Sequence, residues 1–456
     1  MRSGMEAGIL QPSRMTTRLR NRLAGLAVLL LIAGCATGAP RPEPAPAPES
    51  ARPAPPPARA FPPGGASAPP AFPEEQGAIP VAVLLPLSGE QAETGRALLE
   101  AAQSAFFAAS DPRLALLVYD TGGSDEEARA AADRAVAAGA RAVIGPLLSR
   151  TVDAVAPIFV AAGIPVLALT SDSRTARPGV WPLGFAPEAD VRRIIGYAAA
   201  RGYRRLAALL PETAYGERVA AALGRALGGT GMTLVAFQRY LPNAAALDGP
   251  VRAIARYEER RRALEQERAV LEELGDDLAR EILAELDRRD TLGGPGFDAL
   301  LIAEGDPLIR SLAPLLAYYD VDASAVRFLG TGLLDDPAVL REPNLVGAWF
   351  PAPDPARPRA LIAELEKTFS APFPRIATLA YDAMALIATL AREPDLERRL
   401  KPAAFTDPRG FIGVDGPFRL RPDGRVERHL SVLEIGRGGF RVIDPADPHF
   451  APVPVS

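Results

Sequence analysis

Four short apolar runs, at 79–85, 114–119, 142–145 and 164–168, are separated by helix-length segments at about 90–109, 125–138 and on to 162. This alternation restricts the fold more than any other feature of the chain. The runs do not alternate apolar with polar residues, which marks strands covered on both faces, as in a parallel sheet. Right-handed crossovers then bring the turn after each strand to one edge of that sheet. The turns 86–89, 120–124, 146–151 and 169–173 should therefore line one crevice, and that edge is where open α/β sheets bind ligands.

The pattern restarts after Trp181-Pro-Leu-Gly-Phe185, with helices expected at 189–201, 215–227 and 307–319 and strands at 205–210, 233–240, 297–302, 326–330 and 346–350. Two more helices follow at 357–369 and 376–391, and 411–443 reads as short antiparallel strands turning at 422–424 and 436–439. At 456 residues the chain has room for two cores. The expected architecture is α/β, with two lobes that each carry a mainly parallel sheet with helices on both faces. The first lobe is assigned 79–187 and 351–413, the second 188–350 and 414–443, and a tail 444–456.

One segment is surplus to the alternation. At about 246–290 a run of charged residues carries Leu264, Val270, Leu271, Leu274, Leu278, Ile282 and Leu286 at roughly helical spacing. Gly275-Asp276 reads as the end of one helix and the cap of the next. A helical hairpin is expected, either as a solvated outgrowth or as a docking surface. Its charge density argues against an obligate apolar interface.

A net charge of −4 gives no reason to expect a nucleic-acid partner. The two histidines, His429 and His449, lie near the end, and Cys35 is the only cysteine. That excludes a Cys-His nucleophile pair or a thiolate metal cluster in the folded part. Asp120, Glu304, Asp306 and Asp335 could pair as carboxylates, but no nucleophile-base spacing accompanies them. No enzyme activity, cofactor or metal is expected.

Arg14, Arg18, Arg20 and Arg22 precede an apolar run at 23–32, too short to span a membrane but suited to a signal-peptide core. From 39 to 80 about one residue in three is proline and large apolar side chains are scarce, so 35–78 is expected to be an extended, disordered tether. Some 40 such residues at about 3.1 Å each reach on the order of 100 Å.

Several stretches carry resemblances to known families. Leu31-Ile-Ala-Gly-Cys35 resembles the lipobox of bacterial lipoproteins, which implies a signal peptide at 1–34 and acylation of Cys35. A plain secretory signal is the alternative. Ala36 in place of aspartate implies, by the same resemblance, the periplasmic face of the outer membrane. Val83-Leu-Leu-Pro-Leu-Ser-Gly89 with Gly95, Ala142-Val-Ile-Gly-Pro146, Tyr215-Gly-Glu217, Ala380-Tyr-Asp-Ala383 and Phe411-Ile-Gly-Val-Asp-Gly416 resemble, in order, motifs of the leucine-binding-protein family. The fold implied is the two-lobe type I periplasmic-binding fold with a helical hairpin inserted. Anchor, tether and charged insertion together resemble the penicillin-binding protein activators, lipoproteins that stimulate class A peptidoglycan synthases. A helical-repeat domain that precedes the fold in some of them has no counterpart here.

The resemblance also implies site residues. In amino-acid receptors of this fold, hydroxyls and amides at the third and fourth strand turns hold the ligand carboxylate. The matching positions are Ser149 and Thr151, then Ala168, Thr170 and Ser171, with Ser88 in the first turn. Arg150 would clamp an anion or fill a vestigial pocket, and helix capping and turn formation are the alternative for Ser149 and Thr170. Tyr215 occupies the aromatic position. The acid that would hold an ammonium has no clean match, Glu304 and Asp306 being nearest. Two functions follow: an outer-membrane-anchored activator whose partner is a class A peptidoglycan synthase, and a periplasmic receptor for an amino-acid-like ligand of an ABC transporter.

Overall fold

The computed structural model describes residues 59–60, 77–369, 372–395 and 399–451. The signal segment, Cys35 and nearly all of the Pro-rich tether lie outside these residues, as do 452–456 of the tail. A two-residue strand β1 (Arg59–Ala60) is followed by β2 (Ile79–Leu85), α1 (Ala92–Ala109), β3 (Leu114–Asp120), α2 (Asp125–Ala137), β4 (Ala142–Ile144), α3 (Ser149–Ala161), β5 (Val166–Ala168) and β6 (Val180–Pro182). β2 to β6 form a parallel sheet in the order β3-β2-β4-β5-β6. The apolar run in β2 feeds both faces: Val81, Val83 and Leu85 pack with α1, while Ala82 and Leu84 pack with α2 and α3. Burial on both sides is why the run shows no alternation. Ser124 and Glu127 close a capping box that starts α2 at the end of the β3 turn.

The second lobe repeats the plan with α4 (Pro187–Ala200), β7 (Arg205–Pro211), α5 (Ala214–Ala226), β8 (Thr233–Tyr240), α6 (Asp248–Ile254), α7 (Tyr257–Leu274), α8 (Asp277–Leu286), β9 (Ala299–Ile302), α9 (Ile309–Tyr318), β10 (Arg327–Leu329) and β11 (Trp349–Ala352). The strand order β8-β7-β9-β10-β11 is again parallel, and β15 (Ser431–Gly436) and β16 (Gly439–Asp444) extend it antiparallel beyond β11. Between them the chain revisits the first lobe as α10 (Ala356–Phe369), α11 (Ala377–Ala391), α12 (Pro402–Phe405), β12 (Phe411–Gly413), β13 (Gly416–Leu420) and β14 (Val426–Arg428). The last three form an antiparallel sheet, with β1 alongside β12.

Phe411, Phe418 and Leu420 enter the first lobe's core with α1 and α11. The indole of Trp181 stacks on Phe405 at 5.6 Å. The final crossing to the second lobe therefore falls between Arg428 and Ser431, not at 414, because both strands of the small hairpin bury their apolar faces against the first lobe. Three connections thus join the lobes, near 182–187, 352–356 and 428–431.

The hairpin forms as α7 and α8. Gly275 closes α7 at φ 60°, and the Asp276 side chain accepts from the Ala279 amide to start α8. The outgrowth begins later than expected: Leu247, Val251, Ile254 and Ala255 are buried in the second lobe's core, so α6 is the ordinary crossover helix. Only part of the expected apolar stripe is covered. Leu264, Leu271 and Leu286 pack with Ala279, and Ile282 lies against them. Val270, Leu274 and Leu278 stay 44%, 41% and 59% exposed, since an antiparallel pair of helices buries one face of each. Arg260 roots the hairpin, its buried guanidinium donating to the carbonyls of Ala255, Gly293 and Tyr319. Among the described residues no helix is long and apolar enough to cross a membrane.

Candidate functional site in the crevice between the lobes

In both lobes the strand order reverses beside the first strand, and the turns on either side of that reversal diverge to leave a crevice. The same local device opens the helix that follows each lobe's first strand. A Cβ on Gly95 would sit 2.0 Å from the Pro86 carbonyl oxygen, and one on Gly216 would sit 2.0 Å from that of Pro211. Only glycine lets the helix begin this close to the strand end. In the second lobe the consequence is Tyr215: Thr213 caps α5 by accepting from the Gly216 amide, and the adjacent Tyr215 projects into the crevice.

Between the lobes is a cleft of about 630 Å³. Its first-lobe wall includes Leu148, Leu169 and Ile376, and its second-lobe wall includes Tyr215, Leu333 and Pro351. The surface offered is largely apolar, with polar groups at a few points. Tyr215 Oη donates to Thr331 Oγ1 at 2.8 Å, and burial raises the phenol's pKa. Asp190, 3% exposed, accepts from the Gly332 amide at 2.9 Å through Oδ2, while its Oδ1 is buried with no hydrogen-bond partner. Burial pushes that carboxyl up to about 7, and the charges of Glu188 and Asp335 add to the shift.

Arg375, just before α11, reaches across the cleft. Its Nε donates to Asp335 Oδ2 of the second lobe at 3.0 Å, its Nη1 donates to Thr378 Oγ1 at 2.8 Å, and its Nη2 pairs with Asp415 Oδ1 at 2.8 Å. Burial works against the guanidinium's charge, but Asp415 and Asp335 outweigh it and raise the pKa. Behind it, Asp415 accepts from Thr378, and Asp382 accepts from the amides of Val414 and Asp415. Burial, reinforced by Asp415, raises the Asp382 carboxyl. On the opposite flank Arg218 of α5 donates to the Ser171 carbonyl at 2.8 Å and grips Glu188 at 2.9 and 3.0 Å. Two arginines thus bridge the lobes.

The residues expected from sequence divide sharply. Thr170, Ser171 and Tyr215 line the cleft. Thr170 Oγ1, however, accepts from the Asp172 amide and serves its own turn. Ser149 and Thr151 lie in the first turn of α3, and Leu147 and Leu148 take the wall in their place. Arg150 points away, donating to the Gly123 carbonyl at 3.1 Å. Ala168 is fully buried within β5. Ser88 is exposed and bonds Asp120, whose carboxylate also accepts from Leu87 and Gly122. Asp120 is a turn cap, and those bonds hold its pKa low against the effect of burial.

Glu304 accepts from Tyr240 Oη at 2.7 Å, and Asp306 pairs with Arg310. Neither lines the cleft, so the acid expected to hold an ammonium is not in place. Asp190, Phe185, Leu333 and Arg375 are cleft residues that the sequence reading missed. Arg375 stands alone between Pro374 and an apolar helix, a faint signal that it is held inside. Among the described residues no group of three or more His, Cys, Asp or Glu side chains is placed to hold a metal ion.

A family model described as periplasmic binding protein matches residues 78–258. A putative branched-chain amino acid ABC transporter protein from Rhodospirillum rubrum is similar over 80% of this chain and 100% of its own, at 20% identity and a TM-score of 0.64. A solute-binding protein of R. palustris solved with benzoate aligns at 17% identity and a TM-score of 0.53, covering 82% of this chain and 98% of that one. A branched-chain amino acid binding protein of Streptococcus pneumoniae, solved with isoleucine, aligns at 15% identity and 0.51, covering 81% and 100%. An uncharacterised protein of Rickettsia prowazekii (strain Madrid E) is 26% identical over 183 residues, 40% of this chain and 48% of its own. The chain thus spans about half the length of that curated relative. The fold is that of the type I periplasmic binding proteins.

Proposed function

We propose that this chain, a two-lobed α/β protein with the type I periplasmic-binding fold, is a periplasmic receptor that holds a small, largely apolar organic solute between its lobes. The observation that carries this reading is the cleft of about 630 Å³ with walls from both lobes. Wall residues such as Leu148, Leu169, Ile376 and Leu333 suit an aliphatic or aromatic body. The unpaired edge of Asp190 and the Tyr215 hydroxyl fix its orientation. A free amino acid is a poorer match, because Glu304 and Asp306 are engaged elsewhere and burial pushes Asp190, the wall acid with an unpaired oxygen, toward its neutral form. Two relatives of the same fold are named for benzoate and isoleucine complexes, and these two compounds separate the classes.

The test is a thermal-shift and calorimetry panel of benzoate, 4-hydroxybenzoate, leucine and isoleucine on the purified protein. Ligand at 100 times its Kd stabilises the folded state by about 2.7 kcal/mol. A saturable shift with an aromatic or aliphatic acid, lost in Leu148→Asp, supports the reading. A flat response across the panel counts against it.

A second reading, a lipid-anchored activator of a class A peptidoglycan synthase on the periplasmic face of the outer membrane, is favoured by the hairpin. α7 and α8 stand out from the second lobe with Val270, Leu274 and Leu278 uncovered. Purified synthase should be retained by the intact protein and released when these three residues are changed to serine. Equal retention of both forms refutes a role for the hairpin.

A further inference from the structure

A second cavity, of about 380 Å³, adjoins the cleft behind a partition that includes Phe185, Asp190 and Leu430. It is lined by two of the three segments that join the lobes: 182–186, from the end of β6 to α4, and 425–430, which takes in β14 and the start of the link to β15. Four arginines are among its lining residues, Arg192, Arg225, Arg425 and Arg428. Arg425 is paired with Asp423. Arg192, Arg225 and Arg428 have no carboxylate within ion-pair distance among the described residues.

Arg428 lies deepest. Its guanidinium sits 5.0 Å from the Phe185 ring centre and 5.2 Å from that of Phe418. Its Nη2 donates to the Leu183 carbonyl at 3.1 Å, and its Nη1 is buried without a hydrogen-bond partner. Of the two acids on the wall, Glu188 is engaged by Arg218, and Asp190 accepts from the Gly332 amide through Oδ2 while burial favours its neutral form. Ser171 adds an exposed hydroxyl at the rim.

Asp382 and Asp415 act on Arg428 from behind, but three guanidiniums without an ion-pair partner on one partly enclosed cavity still favour an anion, and guanidiniums favour one whose oxygens they can grip in pairs. We propose that this cavity is a binding site for a small multivalent anion, of the phosphoryl or polycarboxylate type. Arg428 of the first lobe's small sheet and Arg192 and Arg225 of the second lobe's α4 and α5 hold it. Because its holders come from both lobes and its walls are the joining segments, the bound anion braces the lobes against each other. The site is separate from the apolar cleft and stands whether or not that cleft holds a solute.

Equilibrium titration of the full chain with inorganic phosphate and with citrate, by calorimetry at constant ionic strength set with sodium chloride, tests the proposal. Saturable binding in the low millimolar range or tighter is expected with at least one of them, and which one binds separates phosphoryl from polycarboxylate ligands. Arg428→Met should weaken it at least tenfold. Arg192→Ala combined with Arg225→Ala, both on the exposed surface and so tolerated by the fold, should weaken it comparably. Hydrogen exchange at 182–186 and 425–430 should slow when the anion is added. Absence of saturable binding by either anion overturns the proposal, as does binding that persists unchanged in the Arg192/Arg225 double variant. Benzoate or leucine binding at the cleft, measured on the same variants, should be retained.

Discussion

Asp190→Asn isolates the cost of a buried carboxylate beside the cleft. In the native protein the carboxyl keeps its proton up to about pH 7, against an ordinary value of 3.8. Over that interval the folded state binds more protons than the unfolded one, so stability falls as pH rises. The penalty is absent below the unfolded pKa and complete above the folded one. Between about pH 5 and about pH 8 it grows by roughly 2–3 kcal/mol, taking about 1.4 kcal/mol per pKa unit. The amide can still accept from the Gly332 N–H through its oxygen but does not titrate. Any packing cost of its NH₂ group is the same at every pH, so only the slope is read. Urea midpoints for both proteins at about pH 5, 6.5 and 8 provide the measurement. The variant should gain on the parent by that amount across the series. Parallel curves, with a constant difference, would mean that Asp190 ionises as an ordinary exposed aspartate and that the buried-carboxyl argument is wrong.

Arg375→Met removes the cation between Asp335 and Asp415, and leaving buried carboxylates uncompensated should cost about 3–5 kcal/mol. Adding Asp415→Asn should return part of that loss in a double-mutant cycle, and a single variant as stable as the parent would refute the pairing as a source of stability. Gly95→Ala drives a methyl to 2.0 Å from the Pro86 carbonyl oxygen and should lower stability by about 1–3 kcal/mol. Gly224→Ala, on α5 with no atom within 4 Å of the new carbon, should instead be neutral or stabilising by up to about 1 kcal/mol; equal effects at the two glycines would refute the close-approach account of the strand-to-helix turns.

Much of the fold was legible because burial on both faces leaves a strong mark. Strands such as β2 and β7 are unbroken apolar runs, and the helices between them carry their own period. The hairpin ends were legible for a different reason, since Gly275 and Asp276 each satisfy a local backbone requirement. What failed was anything decided by which lobe a segment packs on. β13 and β14 read correctly as strands, yet nothing local tells that Phe418 and Leu420 seat against α1 and α11. The stripe on α7 and α8 likewise named the apolar residues without saying that Val270, Leu274 and Leu278 face outward. The site was less legible still. Ser149, Arg150 and Thr151 already belong to the first turn of α3, and the residues just before it, Leu147 and Leu148, take the wall. Asp190 and Arg375 are single charged residues at helix starts, and a sequence does not distinguish such a residue capping in solvent from one enclosed by a second lobe.

The two inter-lobe arginines set a condition on any ligand of the cleft. Arg375 joins the first lobe to Asp335, and Arg218 joins the second lobe to the Ser171 carbonyl, so both side chains bridge the lobes without a ligand atom between them. A ligand moves an equilibrium only by the difference in its affinity for the two states. If these bridges already favour the closed arrangement, closure contributes little to the binding signal, and most of the affinity must come from the apolar walls. Weakening a bridge then has opposite effects on two observables: it opens the empty protein, and it makes the ligand-induced closure larger while lowering apparent affinity by the fraction of molecules left open. Small-angle scattering of Arg218→Ala, with and without a cleft ligand, reads both. An empty variant as compact as the parent would show that the joining segments, not the arginines, hold the lobes together.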